Sequence, residues 1–266
     1  MNLYFSAVSK KHFELLSKLN ISINYLRSYF EMRKKQDLIV HNNVNKYFLD
    51  SGAYSAKNLN KDIDIDKYIK YIKKYGHNFE TFACLDVIGD ADASIENLIY
   101  FENNDLYPLP TFHYGSHERY LDYYADKYDY IALGGMAGQG TGVKQLKPWF
   151  QKIFSKHTEI KFHGFGITNI FLIKMFPWHS VDSTTYLNGS KYGHIIHDGT
   201  QIHYSKLHLI DQWRELTMYI DKIEITLDDF KYTNPIARDV FNIIQMKKFE
   251  DINATSIKNI SQQSMF

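Results

Sequence analysis

Three aspartates stand where chemistry could be done. Asp50 closes the run Tyr47-Phe48-Leu49, Asp86 closes Phe82-Ala83-Cys84-Leu85, and Asp182 follows Ser180-Val181 and leads into the hydroxyl residues Ser183-Thr184-Thr185. Two further apolar runs, Tyr130-Ile131-Ala132-Leu133-Gly134-Gly135 and Phe162-His163-Gly164-Phe165-Gly166, stop at glycine. A single aspartate after a strand is an ordinary helix cap or turn residue. Three of them, each ending a hydrophobic run, point instead to carboxylates gathered at one mouth, where they can attack, carry a proton or grip a pair of donors.

The elements that must hold them are strands buried on both faces, because their apolar runs are continuous and do not alternate. Longer stretches of helical spacing lie between them, so the chain reads as alternating strand and helix around a parallel sheet, with the loops after the strands carrying the chemistry. Strands are expected at Leu3 to Val8, at a faint Leu38 to Val40, and at the runs ending in Asp50, Asp86, Gly115, Gly135, Gly166 and Asp182. Eight strands close a barrel. The fold class is therefore α/β, a (β/α)8 TIM-like barrel with a C-terminal helical extension.

Helices are expected at Lys10 to Leu19, Ile21 to Glu31, Ile65 to Tyr75, Ala93 to Asn103 behind the polar turn Gly89-Asp90-Ala91-Asp92, His117 to Lys127, Lys147 to Lys156 with Pro148 in its first turn, and Thr168 to Phe176. Arg33 to Asp37 reads as an exposed turn, and Gly138, Gly140 and Gly142 make a glycine-rich loop. Beyond Tyr186, Gly193 to Tyr204 has strand character around the hairpin signal Asp198-Gly199. Helices follow at Leu207 to Tyr219 and Pro235 to Met246, and the polar tail from Asn253 should fray. One domain, residues 1–266, is expected, with 187–266 completing or extending the barrel, since no linker divides the chain.

Bulk properties narrow the partners. The 266 residues carry a net charge of +1, so any polyanion contact must be local. Candidate patches are Lys67, Lys70, Lys73 and Lys74, and Lys144, Lys147, Lys152, Lys156 and Lys161, although such runs are usually solvated helix faces. One cysteine, Cys84, excludes an internal disulfide and a Cys-rich zinc site, and reads as a buried small hydrophobe. His163, His179, His194, His197, His203 and His208 form no HxH or HExxH pattern, so no metal site is expected. No run has the roughly 20 apolar residues of a membrane span, and the start is not a signal peptide, so a soluble cytoplasmic protein is expected.

The motifs Asp50-Ser51-Gly52-Ala53-Tyr54, Leu85-Asp86, Gly134-Gly135-Met136-Ala137-Gly138, His163-Gly164-Phe165-Gly166 and Val181-Asp182-Ser183 together resemble the tRNA-guanine transglycosylase superfamily. Within it they look most like the branch, encoded largely by phages and genomic islands, that puts 7-deazaguanines into DNA. The likeness covers Tyr47 to Tyr186, about half the chain. It implies base exchange in a (β/α) barrel without a cofactor. In that family the aspartate matching Asp182 attacks C1′ to give a covalent glycosyl-enzyme, the one matching Asp50 handles the proton on the incoming base, and the one matching Asp86 grips the base.

The physics agrees with those roles. A carboxylate nucleophile divides displacement at an anomeric carbon into two steps, and a carboxylate accepting both Watson–Crick donors selects guanine. Small residues at Gly52 and Ala53 let backbone approach a ligand, and Ser51 beside them is a further substrate-binding candidate. Gly134 and Gly135 bare amides beside the ring, His113 lies where the family often places a base-binding polar group, and Tyr54 or Tyr114 could stack on the base. The resemblance implies nucleic acid and a free 7-deazaguanine base as partners. DNA is favoured over tRNA because one cysteine cannot build the tRNA enzymes' zinc site, while the oligomeric state stays open. A nucleosidase or base-excising glycosylase on the same site, and a non-catalytic nucleic-acid-binding barrel, are the alternatives.

Overall fold

The computed structural model of the protein describes residues 1–32, 40–136, 141–167, 169–209 and 213–251. Eight apolar runs are strands: β1 (Asn2–Ser6), β2 (Ile23–Ser28), β3 (Val44–Asp50), β4 (Thr81–Phe82), β5 (Thr111–His113), β6 (Tyr130–Gly134), β7 (Lys161–Gly164) and β8 (Ser180–Ser183). They form one sheet in the order β4-β3-β2-β1-β8-β7-β6-β5. Every pairing within it is parallel, so all eight carboxyl ends share one rim.

The architecture is thus an α/β fold around a curled, eight-stranded parallel sheet. Its two edges, β4 and β5, touch through a single parallel bridge between Ala83 and Leu109. There the Cys84 N–H donates to the Leu109 carbonyl at 2.9 Å and the Leu109 N–H to the Phe82 carbonyl at 2.8 Å. This seam is much thinner than the full ladder of a closed barrel.

Both faces of the sheet are dry. Leu3, Phe5, Leu49, Ile131, Leu133, Phe162 and Val181 join the larger core, which also takes in the helices, whereas Tyr4, Leu26, Phe48, Ala83, Leu109 and Ala132 form a separate inner cluster. The alternation of period two persists, but both sets are apolar, which is why the sequence shows unbroken runs.

The first helices are α1 (Lys10–Lys18), α2 (Tyr29–Met32), α3 (Ala53–Asn58) and α4 (Ile65–Tyr75). They are followed by α5 (Ala91–Glu102), α6 (Arg119–Ala125), α7 (Val143–Lys156), α8 (Ile170–Met175), α9 (Asn188–Tyr192), α10 (Arg214–Ile223) and α11 (Pro235–Lys247). α4 begins where Asp64 accepts the Lys67 N–H at 3.1 Å, and it buries Tyr68, Ile69 and Ile72. α5 is capped by Asp90, which accepts the Ala93 N–H at 3.0 Å.

α7 starts a turn earlier than its spacing suggests. The Gln145 side chain accepts the Gly142 N–H at 3.1 Å and fixes the start there, which leaves Pro148 inside the helix. Cys84 is buried, as its neighbours require.

The expected helix from Ile21 to Glu31 is corrected. Ile23–Ser28 is strand β2, and only the one-turn α2 follows. Ile23 and Leu26 match helical spacing because both faces of β2 are covered, so its apolar residues do not alternate, and Phe30 extends the pattern only because α2 buries it. The missing strand is therefore β2 and not Leu38 to Val40. Val40 is exposed and belongs to no strand, and 38 and 39 lie outside the described residues. The turn from Arg33 to Asp37, Gly138, Gly140, Thr168 and the tail from Asn253 also lie outside them.

The C-terminal region forms as read. β9 (His194–His197) pairs antiparallel with β10 (Thr200–His203). Asp198 and Gly199 between them both take positive φ, 47° and 81°, as a two-residue primed turn demands. The stretch expected as a helix from Leu207 begins as a 3₁₀ turn over Tyr204–Leu209, and α10 follows.

α11 is docked by polar as well as apolar groups. The Asn242 side chain accepts the Ile196 N–H at 2.8 Å and donates to the Tyr186 and His194 carbonyls at 3.1 and 2.9 Å. Past α11, Glu250 returns to the amino ends of the first strands, accepting the Leu3 N–H at 3.2 Å and the Asn24 side-chain N–H at 2.8 Å. Among the described residues no helix is long and apolar enough to cross a membrane.

Candidate active site

Because the sheet is parallel, inward-pointing residues at the strand ends meet at one rim. A cavity of about 420 Å³ opens there, within the usual span of small-molecule sites, and Asp50, Asp86 and Asp182 all line it. His113, Gly134, Gly135 and Tyr54 line it too. Three carboxylates from far-apart positions are thus brought to one pocket.

Asp182, at the end of β8, is 9% exposed. Its Oδ1 accepts the Gly166 N–H at 2.8 Å, and its Oδ2 accepts the Ser6 hydroxyl at 3.3 Å. Below it the fully buried His163 places Nε2 3.6 Å from Oδ1, beyond hydrogen-bonding distance. His163 Nδ1 lies 2.6 Å from Ser180 Oγ, which lies 2.6 Å from the Tyr130 hydroxyl. Burial holds the His163 imidazole below its usual pKa, and the neighbouring Asp182 opposes that only in part.

Asp50, at the end of β3, sits opposite. Burial is the main force on it, with the charges of Asp86 and then Asp182 adding to it against the Gly52 amide, and its carboxyl is pushed up to about 7. A carboxyl in that range can both give and take a proton near neutrality. Asp86, just past β4, places Oδ2 2.6 Å from His113 Nε2 at the end of β5, a short bond that spans the seam. Among the described residues, Asp86 Oδ1 is left for another donor.

The other sequence-predicted residues divide between lining and support. Ser51 and Gly52 do not line the cavity and stand behind its wall. Ser51 is fully buried and its Oγ accepts the Ala53 N–H at 3.3 Å. Gly52 has φ 81°, and a Cβ there would come within 2.5 Å of Phe30 Cβ and closer still to Ser28 Oγ. Its smallness serves the approach of β2's end to β3's end, not a ligand.

Gly135 combines both purposes. It lines the cavity with φ 75°, and a Cβ would meet His113 Cβ at 2.9 Å. Tyr54 is half-exposed at the rim, free to cover a planar ring. Tyr114 packs edge-on against Trp149 at 5.2 Å and lines the adjoining groove, so of the two candidate stacking residues only Tyr54 lines the cavity itself.

Ser6, Arg27, Ser28, Glu31, Thr111, Phe165 and Thr184 also line the cavity and were not anticipated. Ser6 had a readable signal, since it ends the first apolar run. Arg27, Ser28 and Glu31 were hidden by the helical reading of β2. A more open groove of about 590 Å³ shares His113, Gly135 and Ile88 with the cavity and runs on past Asp90, Ser116 and Tyr120. The lysine runs are partly paired: Lys152 with Glu118, Lys156 with Asp122 at 2.5 Å, Lys161 with Asp129 at 3.4 Å and Lys67 with Asp64 at 2.9 Å.

No protein-family model and no curated protein sequence matches this chain. Among solved structures it is similar to the carboxyl transferase domain of Rhizobium etli pyruvate carboxylase. The form with pyruvate gives a TM-score of 0.44 at 11% identity over 96% of this chain, and the form with 3-hydroxypyruvate 0.43 at 11% over 95%. The chain spans about half the length of those structures, 54% in each. Likeness at this level speaks to neither activity nor substrate.

Proposed function

We propose that this protein is a base-exchange transglycosylase, built on a (β/α)8 TIM-like barrel, that replaces guanine in a nucleic acid, DNA favoured, with a free 7-deazaguanine. The observation that supports it is the convergence of Asp50, Asp86 and Asp182 on one cavity, with different surroundings for each. In this reading Asp182 Oδ2 attacks C1′ of a nucleotide drawn out of its stack. The C1′–N bond breaks, its electron pair leaves with guanine, and the base takes the proton held by Asp50. A deazaguanine then gives its N–H proton to Asp50 as its nitrogen attacks C1′, and the ester to Asp182 breaks to restore the carboxylate.

Asp86, held by His113 through Oδ2, presents Oδ1 to the donors of the guanine edge. Tyr54 covers the ring, and the adjoining groove takes the flanking polymer. Incubation with labelled guanine and single- or double-stranded DNA, or RNA, tests the reading. Incorporation of label into polymer supports exchange, with the preferred polymer naming the substrate. Release of base without incorporation replaces exchange by hydrolysis, and no reaction together with retained binding replaces it by a non-catalytic binder.

A further inference from the structure

The inner cluster of the sheet is almost wholly apolar: Tyr4, Leu26, Phe48, Ala83, Leu109 and Ala132, with Phe165 against it. One polar thread crosses it, from Asp182 at the mouth through His163 and Ser180 to Tyr130 at the start of β6. His163 and Ser180 are fully buried, and the rings of Tyr4, Phe48 and Phe165 stand edge-on around the imidazole. Such a thread in a dry core needs every proton placed.

The placement follows from the partners. Among the described residues His163 Nε2 has no hydrogen-bond partner, but Asp182 Oδ1 stands 3.6 Å from it, and the negative charge there favours a proton on that nitrogen. A neutral ring protonated at Nε2 has a bare Nδ1, which accepts the Ser180 hydroxyl proton. Ser180 Oγ then accepts from Tyr130. The direction of the thread is therefore set from the carboxylate end, since the Tyr130 hydroxyl can give or take a proton, and burial favours the neutral ring.

The two oxygens of Asp182 are left unequal. Oδ1 receives the Gly166 amide and faces His163, while Oδ2 has, among the described residues, the long Ser6 contact alone. We propose that His163 is a positioning residue for Asp182. Biased to the Nε2–H tautomer by the Asp182 charge, with Ser180 taking up the bare Nδ1, it keeps Oδ1 turned inward and leaves Oδ2 as the oxygen that attacks. The second half of this statement rests on the nucleophile reading of Asp182; the tautomer and the contact do not.

The test uses the full chain and two readouts. Long-range ¹⁵N–¹H NMR of the histidine rings at pH 7 should show His163 with a pyridine-like Nδ1 and a protonated Nε2, and Asp182→Asn should move the Nε2 signal. A doubly protonated ring, a proton on Nδ1, or a signal indifferent to Asp182→Asn overturns the proposal whether or not the protein has any activity. In the guanine-exchange assay His163→Phe should lower kcat roughly 10²-fold with little change in KM. His163→Gln, which can offer an N–H near the position of Nε2, should recover most of that loss. Equal loss in both variants, with thermal melting matching that of the wild-type chain, also overturns it. If no polymer exchanges its base but the NMR results hold, the functional reading fails and the positioning of Asp182 stands.

Discussion

The two walls of the cavity are built on opposite plans. On the wall formed by β1, β7 and β8, Asp182 is held by an amide and a hydroxyl, with a buried histidine beneath it, on strands joined by continuous ladders. On the wall formed by β3, β4 and β5, Asp50 and Asp86 crowd each other beside a seam of one bridge, and Asp50 is driven up to about 7. The first plan fixes a charge in place. The second makes a proton easy to move. A displacement that needs a steady nucleophile and a reversible acid is served by such a division of surroundings, with no change of residue type.

The comparison breaks most directly at the fixed wall. Asp182→Asn should lower exchange by at least roughly 10³-fold, read by incorporation of labelled guanine, while leaving thermal stability close to wild type. The support beneath both walls is tested by Phe48→Ala. This truncates a fully buried ring of the inner cluster and should cost about 3–5 kcal/mol in urea unfolding.

On the titrating wall the folded pKa of Asp50 lies above its unfolded value, so the folded state holds the proton more tightly. Stability therefore falls as pH rises from about 4 to about 7 and then levels off. Asp50→Asn removes that loss. It should match the wild type at pH 4 and exceed it by up to about 4 kcal/mol at pH 8, even as exchange is lost. Asp86→Asn removes the largest of the three charges raising Asp50, so the limb of the pH–rate profile assigned to Asp50 should move to lower pH. The smallest effect is expected at the rim. Tyr54→Ala should raise KM for the base about fivefold with kcat little changed, as for the loss of a partly exposed stacking contact.

Legibility in the sequence tracked locality. Strand ends at Asp50, Asp86 and Asp182 could be read because a charged residue after an apolar run is a local event, and the turn at Asp198-Gly199 because its backbone needs just those residue types. β2 was not legible, since a strand covered on both faces loses its alternation, and with it went Arg27 and Ser28. The partnership of His163 with Asp182 depends on the register of β7 against β8, where His163 stands opposite Ser180. No spacing along the chain announces that. Ser51 and Gly52 show the converse: the motif was visible, but it sits behind the wall, because what it accommodates is the neighbouring strand's end.

Glu250 gives the distal part of the chain a task its polar composition does not advertise. Its carboxylate caps the amino ends of β1 and β2, on the side of the sheet away from the mouth, taking donors from both. The floor beneath the cavity is thus tiled by a residue far downstream. Shortening the protein to the stretch that carries all three aspartates would keep every one of those carboxylates and pull up the tile they stand over, so a minimal version of this fold must reach past α11.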